Sequence, residues 1–325
     1  MSSLRHVVHQ GPVLAGLGGL LLSAAAQRLP RPLADALGQT TAEAPPSLPG
    51  PALTAVVPPR DPGLVADYLR WAGGDPGAWR GRVPHHLFPQ WGFGLLPRTL
   101  TGLPYPLARA LNGGCRVTVH ADIPLDAALR LTAQLVAIDD DGRRALLTQR
   151  LTTALPDGTP ALTAEVQVFV PLDDAPKPGA PKPGTSKPGG PKVRALVPVE
   201  AREVASHRFA ADDGFAFACL TGDFNPVHWV APYGRAAGFG GTILHGFGTL
   251  ARALEGLTRT LWAGDTRRLT GYEVRFTRPV RLPGKARTFV APAADEAERA
   301  GPRGFYVGSA PGGPAHMVGS FTARG

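Results

Sequence analysis

Cysteine is nearly absent: Cys115 and Cys219 are the only two in 325 residues, too few for a disulfide framework and without the paired spacing of a zinc site. A reducing compartment, the cytoplasm, suits such a chain. No apolar run reaches the roughly 18 residues that a membrane-crossing helix needs, so no integral membrane segment is expected. The turn at Phe239-Gly240-Gly241 is too short for a phosphate-cradling Gly-x-Gly-x-x-Gly signature, and none opens a parallel βαβ unit. Charge is also sparse, with 18% charged residues against 43% hydrophobic ones. The formal net charge of +9 is concentrated, because Lys177, Lys182, Lys187, Lys192 and Arg194 share one proline-rich stretch and leave about +4 elsewhere. That remainder is an ordinary basic surface, and a nucleic-acid partner is not expected.

What the chain has in excess is 35 prolines and 41 glycines, which indicate many turns and at least one unstructured connector. Its length is about twice that of a usual domain, so two domains or one double-sized fold is expected. The clearest boundary is 174–195, where Lys-Pro-Gly recurs at 177, 182 and 187, as in an extended, solvated spacer. It divides an N-terminal extension (1–50) and a first domain (51–173) from a second domain (196–325). Gly11 to Ala26 follows Arg5 and His6, ends in Ser23-Ala24-Ala25-Ala26 and superficially resembles a signal peptide. A short helix packing on or near the first domain is the preferred expectation.

Downstream of the spacer the pattern predicts a strand near 201–209, a helix near 212–220, a loop, a helix from His245 to about Trp262, and strands at 269–276, 286–293, 304–309 and 316–323. Upstream, a helix near 61–71 and helix-like or turn material over 84–110 precede strands at 116–121, 129–138, 145–153 and 162–170. Val166, Val168 and Val170 alternate with Glu165, Gln167 and Phe169, as half-buried antiparallel strands should. The same order of elements thus occurs twice. Laying Val119-His120-Ala121-Asp122-Ile123 beside Phe276-Thr277-Arg278-Pro279-Val280 brings Leu87-Phe88 near Leu244-His245, as a duplication would.

The chemistry is concentrated in Thr221-Gly222-Asp223-Phe224-Asn225-Pro226-Val227-His228, with His245-Gly246 seventeen residues on. A carboxylate and an imidazole joined through Asn-Pro cannot share one continuous helix, because proline breaks the turn and restricts the residue before it. The segment is therefore a loop that aims side chains. Phe247, Leu250, Leu254, Leu257 and Leu261 then recur at helical spacing, so the free N–H groups of a helix start at Gly246 are near that loop. Asn225 has two jobs open to it: closing the loop through its own backbone, or bonding a catalytic partner. His245 is expected to fix the helix start. Asp223, His228 and His245 also match the residue types of a two-histidine, one-carboxylate iron site; no metal is expected there. Trp229 is expected to pack rather than to recognise a ligand. Between Asp75 and Phe88 nothing reproduces the acid and base, and His85 and His86 are expected to be packing or surface residues.

The run from Phe215 to Leu250, with Thr-Gly-Asp-x-Asn-Pro-x-His, Arg235-Ala236-Ala237-Gly238-Phe239 and Ile243-Leu244-His245-Gly246, resembles the hydratase 2 motif of MaoC-like dehydratases. Arg275-Phe276 with Pro279-Val280 resembles that family's first long strand after its helix. Val230 stands where many relatives carry an acidic residue, and Phe247 where many carry Met. The resemblance implies an α+β double hot dog, antiparallel sheets wrapped round central helices, whose degenerate first half completes the sheet and accommodates the acyl chain. It implies reversible hydration of trans-2-enoyl thioesters to (3R)-3-hydroxyacyl thioesters, with Asp223 and His228 exchanging protons with one water and the Gly246 N–H binding the thioester oxygen. Coenzyme A or acyl carrier protein would be the substrate carrier, with no further cofactor; both are acidic and suit a basic surface. A homodimer is an assembly it allows. A hot-dog thioesterase and a non-catalytic acyl-thioester-binding protein are the alternatives.

Overall fold

The computed structural model describes residues 3–16, 46–172, 195–293 and 301–324. The Lys-Pro-Gly spacer and most of the alanine-rich N-terminal stretch lie outside the described residues. Ten strands form a single antiparallel sheet. In chain order they are β1 (Leu53–Val57), β2 (Leu111–Val119), β3 (Leu129–Asp140), β4 (Arg144–Ala154), β5 (Pro160–Pro171), β6 (Arg202–Phe209), β7 (Leu269–Phe276), β8 (Gly284–Val290), β9 (Arg303–Gly308) and β10 (Ala315–Ala323). Across the sheet the order is β1-β3-β4-β5-β2-β7-β10-β9-β8-β6. Read inward from either edge, each half places its first, third, fourth, fifth and second strands in that order, so the two halves are related by a pseudo-twofold at the β2–β7 junction. Cys115 pairs with Val274 and Val117 with Tyr272 across it. The strand β1 and the first five residues of β2 were not foreseen in the sequence.

Each half has a helix after its first strand: α1 (Pro62–Ala72) and α2 (Asp213–Thr221). Both stop at a left-handed glycine, Gly73 (φ 78°) and Gly222 (φ 85°), a conformation that glycine adopts without a Cβ penalty. The second half then has the long helix α3 (Gly246–Leu261), on which Phe247, Leu250, Ala251, Leu254 and Leu257 are buried. In the first half the corresponding stretch has only short turns, among them His85–Leu87, Pro89–Gly92 and Leu96–Leu100. Pro84, Pro89 and Pro97 each remove an N–H that a long helix would need. Tyr68, Phe88, Phe217, Leu250 and Phe305 belong to one buried cluster, so the halves share a core.

Both His85 and His86 are buried, at 5% and 3% exposure. They are core residues rather than surface ones. A carboxylate does reach His86, but it comes from the other half: Glu255 of α3 lies 2.9 Å from His86 Nε2 and accepts from Trp79 Nε1 at 2.9 Å.

His207 on β6 is buried beside Thr288, and burial together with Arg252 and Arg259 pulls its pKa down to about 4. The unfolded chain protonates this ring near pH 6.5 while the folded one holds it neutral. Stability is therefore expected to fall as pH drops from 6.5 towards 4, by about 3 kcal/mol for this residue, and to be insensitive to it above 6.5. Urea unfolding across that range checks the point. His207→Gln should flatten the slope, and an unchanged slope would refute the assignment.

Candidate active site

The loop is built by its own residues. Gly222 ends α2, its N–H bonding back to the Ala218 carbonyl, and its left-handed turn sends the chain away from the helix axis. Asn225 is extended, as a residue before proline must be, and its Oδ1 accepts from the Val227 N–H at 3.2 Å. Pro226 to His228 then form one helical turn that points the imidazole back. The Asn225 N–H donates to Asp223 Oδ1 at 3.3 Å, which completes an Asx turn around the carboxylate.

The site comprises two stacked imidazoles beside one carboxylate. The His228 and His245 rings stack at 3.5 Å and 25°. His228 Nδ1 lies 2.9 Å from the Ile243 carbonyl, which can only accept, so Nδ1 carries the proton and Nε2 keeps a lone pair. His245 Nε2 donates in the same way to the Asp223 carbonyl at 2.9 Å and lies 3.9 Å from its carboxylate. One donor atom from each of Asp223, His228 and His245 lies within 4.8 Å of the others. Burial draws the His228 imidazole below its usual range, opposed by the Asp223 charge and the Ile243 carbonyl. Burial, reinforced by His228, holds His245 lower still. Because His245 Nε2 donates, its lone pair is on Nδ1, which is buried with no hydrogen-bond partner.

His245 occupies the N-cap position of α3 in its backbone, yet its side chain makes no cap bond. It ties the helix start to the loop instead, through Nε2 and the Asp223 carbonyl. Among the described residues the Gly246 N–H has no acceptor, and Gly246 lines a cavity of about 620 Å³ together with Asp223, Asn225 and His228. The space that a Cβ on Gly246 would fill is already taken, because such an atom would come within 2.8 Å of the Phe276 ring. Glycine here makes room for a protein side chain, the Phe276 ring. Trp229 lies outside the cavity lining, 5.6 Å from Phe215 and bonded to the Phe224 carbonyl.

Residues that the motif did not reveal complete the wall. Arg109 to Asn112 and Pro171 come from the first half, and Phe276 to Val280 and His316 from the second. Only the β2–β7 pairing brings the first set to Asp223, and no local pattern announces it.

A second cavity of about 230 Å³ is the pseudo-symmetric counterpart of this one. The Val83 N–H donates to the Ile123 carbonyl at 2.8 Å, as the Leu244 N–H does to Val280, and the bridge of Arg82 to Pro124 repeats that of Ile243 to Arg281. The match of 119–123 with 276–280 thus holds, while Leu244-His245 corresponds to Val83-Pro84 rather than to Leu87-Phe88. Asp75 Oδ1 accepts from the Gly77 N–H just as Asn225 does from Val227, so Asp75-Pro76-Gly77-Ala78-Trp79 stands for Asn225-Pro226-Val227-His228-Trp229. Ala78 replaces the imidazole, and Gly74 alone replaces Asp223 and Phe224. A side chain at Gly74 would overlap the Glu255 carboxylate. The Asp-Pro and the tryptophan three residues later were the signal in the sequence.

Comparison with known proteins agrees with this architecture. Residues 192–299 match the family described as MaoC like domain. The chain is 25% identical over 189 residues to enoyl-CoA hydratase ChsH3 of Mycobacterium tuberculosis, covering 58% of this chain and 62% of that one. It is likewise 25% identical over 190 residues to the peroxisomal enoyl-CoA hydratase 2 of Arabidopsis thaliana, covering 57% and 60%. The match therefore spans under two thirds of either relative's length. The crystal structure of HtdX from M. tuberculosis superposes with a TM-score of 0.63 at 20% identity, covering 84% of this chain and all of that one. A second M. tuberculosis protein, described as having a double hotdog fold, superposes with a TM-score of 0.53 at 16% identity, covering 85% and 96%. A duplicated sheet with one intact motif loop and one eroded copy is thus a double hot dog, and its second half matches the MaoC like domain family over residues 192–299.

Proposed function

We propose that the C-terminal half catalyses reversible hydration of trans-2-enoyl thioesters to (3R)-3-hydroxyacyl thioesters, carried on coenzyme A or acyl carrier protein. The observation that carries this reading is the convergence of Asp223 and His228, within 4.8 Å, on a cavity that also exposes the start of α3. Water held between the two groups gives a proton to one of them while its oxygen bonds to C3. Electron density moves onto the thioester oxygen, to which the Gly246 N–H, at the positive end of the helix dipole, donates a hydrogen bond. Proton return to C2 from the pair completes the addition. Dehydration is the same path reversed. His245 acts here as a positioning residue, holding the Asp223 backbone and one face of the His228 ring. The enoyl-CoA hydratase names of the two relatives support the reaction class, and Arg109 and Arg278 at the cavity suit an acidic carrier.

The purified protein is expected to consume crotonyl and longer enoyl thioesters, seen as loss of enoyl absorbance, without releasing thiol. Coloured product from a thiol-reactive dye at constant enoyl absorbance would replace this reading with a thioesterase. Binding of acyl thioesters without turnover of either kind would make the protein a non-catalytic acyl-thioester-binding protein.

A further inference from the structure

We propose that His6, His9 and Asp61 form a binding site for a divalent transition cation of the zinc class, which clamps the N-terminal helix to the first turn of α1. His6 and His9 lie on the helical turn Ser3–Gln10, and Asp61 is the N-cap of α1. One ligand atom from each lies within 4.8 Å of the others, and His9 Nε2 is 3.9 Å from Asp61 Oδ1. The decisive residue is His6, which is 2% exposed. Its Nε2 lies 2.9 Å from Asp67 Oδ2 and 3.2 Å from Arg5 Nε, and the shorter contact, to a carboxylate oxygen that can only accept, places the proton on Nε2. Nδ1 is therefore the nitrogen with a lone pair, and it is buried with no hydrogen-bond partner. A buried lone pair without a donor costs free energy unless something fills that place. A carboxylate holding the far nitrogen of an imidazole is the arrangement that orients metal-ligating histidines and raises their basicity.

The remaining groups fit the same occupant. Two imidazoles and a carboxylate match the nitrogen and oxygen donors of zinc sites, with bonds of about 2.0–2.2 Å. Closing from 4.8 Å falls to the half-exposed His9 and Asp61 side chains. Asp61 Oδ1 caps the Leu64 N–H at 2.7 Å, and its second oxygen is still available. Gly63 keeps the neighbouring space open, since a Cβ there would lie 3.1 Å from Asp61 Oδ1 and 3.9 Å from His6 Cε1.

The clamp would also act at a distance. Further along the same helix, Gln10 Nε2 donates to the Cys219 carbonyl at 3.1 Å. Val13 packs against Gly222, the residue before Asp223. Cation binding at one end thus stiffens the support of the acidic loop at the other.

The test uses the tag-free full chain after treatment with a chelator. Zinc titration by calorimetry and cobalt absorption should show one equivalent bound and a rise in melting temperature. His9→Ala, at an exposed position, should keep the fold, weaken binding about ten-fold or more and abolish the thermal rise. His228→Ala should bind as the unaltered chain does, which separates this cluster from the one at Asp223. No binding by the unaltered chain, equal binding by His9→Ala, or loss of binding only in His228→Ala would each overturn the proposal.

Discussion

Asp223→Asn is expected to lower the hydration rate about 10²- to 10⁴-fold, and His228→Ala by a similar factor, with the melting temperature of Asp223→Asn unchanged. The amide keeps an oxygen to accept from the Asn225 N–H, so the loop retains its turn while the carboxylate charge is lost. Because both groups address one water, the double variant should be little slower than the slower single one. The pH profile carries a second, independent sign. Burial pulls the His228 pKa down and the Asp223 charge pushes it up. The acid limb of kcat/KM should therefore lie below the ordinary histidine range near pH 6.5, and in the residual activity of Asp223→Asn it should move lower still. Near-normal rates in both single variants would remove the acid and base assignments, and an acid limb that moves upward would remove the electrostatic account.

Glu255→Ala should give the largest loss of stability, about 3–5 kcal/mol. The carboxylate is 4% exposed and takes hydrogen bonds from Trp79 Nε1 and His86 Nε2, both at 2.9 Å. His86 Nδ1 meets the Tyr68 hydroxyl at 2.9 Å, and that hydroxyl donates onward to the His86 carbonyl. Truncation strands two buried donors in the shared core and opens space beside Gly74. Glu255→Gln retains an acceptor and should recover a large part of the loss. Denaturant midpoints distinguish the cases, and an alanine variant as stable as the parent would show that the network contributes little. Glu255 links α3 to the place that the acidic loop has vacated in the first half. The eroded site has thereby become part of the junction between the halves.

Where side-chain period and turn chemistry suffice, the residues alone specify the local elements. The stripe from Phe247 to Leu261 marks α3, and the alternation through Val166 and Val170 marks β5. Gly222 and Asn225-Pro226 mark the loop, because left-handed and pre-proline backbones admit few residue types. The short strand β1 carries too few residues to show a period. The register between the halves was misjudged by four positions, because proline-rich turns replace the long helix and leave no periodic pattern to align.

By itself the chain determined the proposed acid and base pair and the helix start, since these lie within about twenty-five residues and are governed by local backbone rules. Only the tertiary structure decided the rest. The β2–β7 pairing carries Arg109 to Asn112 into the cavity, Glu255 crosses to His86, and the N-terminal helix reaches both α1 and Gly222. These contacts join residues far apart in sequence. They follow from closing one sheet around a shared core, which no local pattern encodes.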